Sequence, residues 1–113
     1  MKMPPPSPTA TERLELLFGG DPRIRLRKMF GQPAAFVNGN LCAGIFGRDL
    51  FMRLDGADVQ VLSKVAGVRP FEPMPGRRMT HYLVLPPKLL GQPALAKKWA
   101  ARSIQYVLSL PAK

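Results

Sequence analysis

The sequence predicts a two-layer α+β fold: helix, antiparallel strand meander, helix, β-hairpin and C-terminal helix, with the helices packed on an antiparallel sheet. Three observations predict it. Asn38-Gly39 lies between two apolar runs, Ala34 to Val37 and Leu41 to Phe46. A two-residue turn with positive φ at both positions favours Asn then Gly, and its twist suits paired antiparallel strands. Leu50, Met52 and Leu54 alternate with Phe51 and Arg53, the period of a strand. After Pro93 the period changes: Leu95, Ala96, Trp99, Ala100, Ser103, Ile104, Tyr106, Val107 and Leu110 fill about half a helix circumference, with Leu108 the main exception.

Taken in order, residues 1–8 are a proline-rich tail, with Pro4, Pro5, Pro6 and Pro8, expected to be extended and disordered. Residues 9–113 form the single domain. Thr9-Ala10-Thr11-Glu12 fits a capping box, and Ala10, Leu14, Leu17 and Phe18 share one face of the helix that follows. Gly19-Gly20 and Asp21-Pro22 stop it. Arg23 to Phe30 reads as a half-buried strand, with Ile24, Leu26 and Phe30 on one face and Arg23, Arg25, Arg27 and Met29 on the other; Lys28 breaks the pattern. Gly31 and Pro33 interrupt any helix there, and Gly47-Arg48 makes a second hairpin turn. Asp55 caps a second helix running to Ala66, its apolar face formed by Val61, Leu62, Val65 and Ala66. Val68 to Met74 and Arg78 to Leu85 form a hairpin around Pro75-Gly76, and Pro70 and Pro73, lacking an amide donor, make its first strand short or place it at an edge.

A chain of 113 residues buries a core without disulfides or metal. It has no apolar run long enough to span a bilayer, and no apolar stretch follows Lys2, so the N-terminus does not read as a secretory signal. A single cysteine, Cys42, forms no intrachain disulfide, and a reducing cytoplasm is the simplest compartment. Charge is the unusual quantity: seventeen Lys and Arg against seven Asp and Glu give +10. Such an excess attracts polyanions.

Arg23, Arg25 and Arg27 are the first candidate contact residues for a protein or nucleic-acid partner. Same-face neighbours on a strand lie about 6.6 Å apart, and phosphates of a DNA strand taken two at a time advance about 6.8 Å. The competing reading is that these charges keep an outer strand from pairing with another molecule. Arg77 and Arg78, beside Pro75-Gly76, form a second basic tip. An enzymatic alternative places Cys42 as a nucleophile activated by His81, whereas a cysteine between Leu41 and Ala43 more commonly packs as a small apolar residue. One Cys and one His do not make a zinc site, and no glycine-rich loop followed by Lys and Ser/Thr marks a phosphate-binding cofactor site; no metal or cofactor is expected. Asp49, Asp55 and Asp58 fall at turns or caps. Trp99 and Tyr106 widen the apolar arc of the last helix, which suits either the core or a second copy of the chain.

The sequence resembles the N-terminal domain of the TfoX/Sxy competence-regulator family. The resemblance rests on Arg27-Lys28-Met29-Phe30-Gly31, Phe36-Val37-Asn38-Gly39 and Leu50-Phe51-Met52-Arg53, then Pro70-Phe71, Gly76-Arg77, Met79 and Tyr82, and finally Trp99-Ala100 and Ser109-Leu110-Pro111. It implies an α+β domain with the element order above and a non-enzymatic regulatory role, since the family carries no catalytic motif. Better-known members act on DNA-uptake genes and carry a second helical domain; this sequence ends at Lys113 without it. Gly31-Gln32-Pro33 also departs from the glycine-rich continuation expected after Phe30.

Overall fold

The computed structural model describes residues 4–113, apart from the side chains of Met74, Arg77, Arg78 and Thr80. Its elements run α1 Pro8–Phe18, β1 Arg25–Met29, β2 Gln32–Val37, β3 Asn40–Phe46, β4 Asp49–Arg53, α2 Gly56–Leu62, β5 Arg69–Met74, β6 Arg77–Leu85, α3 Pro87–Leu90 and α4 Pro93–Leu108. The strands form one antiparallel sheet in the order β1-β2-β3-β4-β6-β5. The meander and the later hairpin are therefore one layer, joined where β4 pairs with β6 from Leu50↔Leu85 to Arg53↔Tyr82.

Helices cover one face of this sheet. Ala35, Val37, Ala43, Ile45, Leu50, Met52, Leu83 and Leu85 point into a core completed by Leu14 and Phe18 of α1, Leu62 of α2, Leu89 of α3, and Trp99, Ile104 and Val107 of α4. The reverse face carries its own aromatic cluster, Phe51, Phe71 and Val84 with Leu41, Phe46, Met79 and Tyr82, to which no described helix contributes a residue. The rings of Phe51 and Phe71 stack with centroids 4.2 Å apart. Phe46 and Tyr82 meet this pair edge-on.

Several local expectations are corrected. The first helix is capped by Ser7, whose Oγ accepts from the Ala10 amide, and not by Thr9 with Glu12. Pro8 fills the first helical position, where its missing N–H costs nothing. The first strand spans Arg25–Met29, so Arg23 and Phe30 lie outside it. As an edge strand it is almost wholly exposed, not half-buried. Phe30 belongs to a two-residue turn, Phe30-Gly31, with φ of 54° and 78°. A bulky residue in the left-handed region costs about 1–2 kcal/mol. The predicted Asn38-Gly39 turn has φ of 51° and 82°, as its composition requires. The second helix ends at Leu62, and the face it buries is Asp58 and Leu62; Val61 and Val65 are exposed. What turns it is Asp58, which accepts from Arg102 of α4 through both carboxylate oxygens at 2.7 and 2.8 Å. The one-turn helix α3 was not expected from the sequence.

A β-bulge connects the layers. Ala35 pairs with Ala43 and Phe36 with Leu41, leaving Cys42 as the extra residue. Cys42 and Ala43 then both enter the helix-side core. Ser103 of α4, fully buried, donates to the Arg53 carbonyl at 2.7 Å and lies 3.2 Å from both the carbonyl and the Sγ of Cys42. The flanks of the chain are tied to the ends of β3. Ser7 N–H donates to the Gly47 carbonyl, and buried Gln32 donates to the Pro4 carbonyl while accepting from the Gly47 amide. At the other end Asn40 donates to the Pro111 carbonyl, and the Lys113 amide to that of Asn38.

Gly44 supplies a check on the reverse face. A Cβ there would lie 2.7 Å from the tip of the Phe51 ring, and that ring is held by its stack on Phe71. Gly44→Ala is expected to lower stability by about 1–3 kcal/mol, read from the urea midpoint. Combining it with Phe51→Leu should recover part of the loss; an undiminished urea midpoint in Gly44→Ala would contradict this packing.

Candidate functional site

Strand β1 places its cations according to its register. Arg25 faces Phe36 and Arg27 faces Ala34 across the β1–β2 pair. Phe36 lies between Ala35 and Val37, both in the helix-side core, so Arg25 and Arg27 belong to the reverse face. The Arg27 guanidinium carbon sits 4.2 Å from the centroid of the Phe36 ring, a cation–π contact that fixes the long side chain. Beside it opens a cleft of about 460 Å³, lined by Pro22, Arg23, Ile24, Arg25, Arg27, Phe36, Asn38 and Gly39.

The predicted row of three arginines is not equivalent. Arg23, in the turn before β1, grips Asp21 through Nε at 3.0 Å and Nη2 at 2.8 Å, and its own amide donates to the same carboxylate. These hydrogen bonds hold the Asp21 carboxyl down at about 2 and push the Arg23 guanidinium up. Its charge is therefore locally neutralised. Arg25 and Arg27 have no carboxylate partner among the described residues. The side chains of Arg77 and Arg78 lie outside the described residues. Two further arginines are paired: Arg69 with Asp49 at 2.6 Å and Arg102 with Asp58 at 2.7 Å. Arg53 is a residue that sequence reasoning passed over. Its Nε is buried without a hydrogen-bond partner, and its guanidinium lies against the rings of Tyr82 and Tyr106 at 5.4 and 6.0 Å.

Cys42 and His81 are not brought together. Cys42 lies on β3, His81 on β6, and β4 separates them. The thiol is fully buried, and desolvation pushes it up to about 11 against the opposing pull of Ser103 and Arg53. A nucleophilic thiolate needs the reverse. The exposed His81 donates through Nδ1 to the Leu54 carbonyl at 3.0 Å and stacks on Tyr106. Among the described residues no group of three or more His, Cys, Asp and Glu is placed to hold a metal ion. None of their helices is long and apolar enough to cross a membrane.

Fold and site together define an α+β domain with a cationic sheet edge and no assembled catalytic group among the described residues. The family model described as the TfoX N-terminal domain matches residues 16–107, and the chain belongs to that family, a regulatory one. No curated protein matches the chain.

The thiol gives a pH signature. An unfolded Cys42 ionises near 9.0 and the folded one about two pH units higher. Its contribution to stability is complete below pH 9 and is lost as pH rises from 9 toward 11, by roughly 2 kcal/mol at the upper end. Cys42→Ala should flatten the fall in the urea midpoint over that window, and wild-type Cys42 should resist a disulfide reagent at pH 8 until unfolded. Rapid labelling of the native protein would refute the burial argument.

Proposed function

We propose that this chain is a non-enzymatic regulatory module that binds nucleic acid through the β1 edge, using Arg25 and Arg27 on backbone phosphates, in regulation of the transcriptional or competence type. The observation that carries this reading is the charge distribution. Residues 22–48 contain Arg23, Arg25, Arg27, Lys28 and Arg48 but no Asp or Glu. Within this acid-free stretch Arg25 and Arg27, which have no carboxylate partner among the described residues, line one cleft. A planar guanidinium suits bidentate contact with phosphate, and Arg27 is already immobilised on Phe36. The edge position of β1 leaves one side of its backbone without a strand partner among the described residues. That favours a second reading, in which an acidic extended peptide adds to the sheet.

Binding of labelled oligonucleotides titrated against salt tests the first reading. Arg25→Gln and Arg27→Gln should each weaken binding and reduce the log–log salt slope by about 0.9 on duplex DNA, or about 0.7 on a single strand. Arg23→Gln should change both far less, because Asp21 already occupies that side chain. No binding at low salt, together with capture of an acidic peptide that strand β1 variants abolish, would replace nucleic acid with a protein partner.

A further inference from the structure

We propose that Phe30, at the tip of the β1–β2 hairpin, is a stacking residue for an unpaired base of single-stranded nucleic acid, with Arg25 and Arg27 holding the backbone behind it. The inference rests on the nucleic-acid reading above and specifies the form of the ligand.

Three observations carry it. Phe30 is 81% exposed, and among the described residues it joins neither core cluster nor any ring pair. It occupies the first position of a turn with positive φ at both residues, a place suited to Asn, Asp or Gly. The same sheet uses Asn38 at the corresponding place. A phenyl ring there is both strained and wet, so neither backbone preference nor burial within the chain accounts for it. The third observation is its setting. The strand leading to it, Arg25–Met29, exposes Arg25, Arg27 and Lys28, and Arg27 lies three residues from the tip, about 10 Å along an extended chain.

An aromatic ring beyond a row of cations matches the two parts of a single strand, its bases and its phosphates. In a duplex both faces of each base are already stacked, and one ring must displace a neighbour to enter. A single strand offers a free base face. The arginines provide the salt-dependent part of binding and the ring a part that is indifferent to salt.

The test compares a labelled oligothymidine with a duplex of equal length, using Phe30→Asn, Phe30→Trp and the double variant Arg25→Gln/Arg27→Gln. Phe30→Asn restores the favoured turn composition, so its urea midpoint should equal or exceed that of the wild type. Its affinity for oligothymidine should fall about 5- to 100-fold with an unchanged salt slope, while its duplex affinity hardly moves. Phe30→Trp should retain affinity and show fluorescence quenching on binding beyond that of wild-type Trp99. If Phe30→Asn binds oligothymidine as the wild type does while the double arginine variant loses binding, the stacking role is wrong and the phosphate reading stands. Absence of wild-type binding at low salt overturns both. Loss of binding to phosphatidylserine vesicles in Phe30→Asn, with oligothymidine affinity intact, makes the tip a lipid contact and overturns the proposal.

Discussion

Alternate residues of a strand point to opposite faces, and in this chain that alternation sorts apolar bulk from positive charge. Leu50 and Met52 enter the helix-side core while Phe51, between them, stacks on Phe71 behind the sheet. Leu83 and Leu85 do the same around Val84. At the outer strand the rule places Arg25 and Arg27 beside Phe36, on the face that the helices leave uncovered. The cationic cleft is thus a consequence of register. A slip of one residue in β1 would turn both arginines toward α1 and bring Leu26 to the reverse face.

The helical layer is fixed to that register by polar contacts as well as by bulk. The bulge at Cys42 sends two successive residues into the core, and the Ser103 hydroxyl occupies the space where β3 and β4 present their carbonyls. Asp58, on a helix of two turns, is turned inward because Arg102 meets it with two nitrogens. The Arg102 guanidinium is raised by that hydrogen bond. A buried carboxylate left without this partner would be strongly disfavoured, so α2 and α4 are oriented relative to each other by charge.

Much of this was legible in the sequence where the cause is local. The Asn38-Gly39 turn, the alternation of β4 and the long arc of α4 each depend on neighbours within a few positions, and each lies where expected, except that Leu95 of the arc is exposed. The misreadings have identifiable causes. Ser7 and Thr9 are both competent caps, and Pro8 at the first helical position decides for Ser7. Arg23 alternates correctly with Arg25 and Arg27, but its pairing with Asp21 holds it in the turn. The burial of Asp58 depends on a residue forty-four positions away and has no local trace. Phe30 was read as the end of a strand because a phenyl ring in a left-handed turn runs against composition rules. Gln32, within the Gly31-Gln32-Pro33 segment that departs from the expected glycine-rich continuation, bridges Pro4 and Gly47.

The two flanks of the domain leave from opposite ends of β3, one beside Gly47 and the other beside Asn38 and Asn40. Seven residues of extended chain set those anchor points about 20 Å apart. Tension applied through the flanks would load these few hydrogen bonds at the ends of β3 first, and then α1 and α4, before it reached the ladders of the sheet.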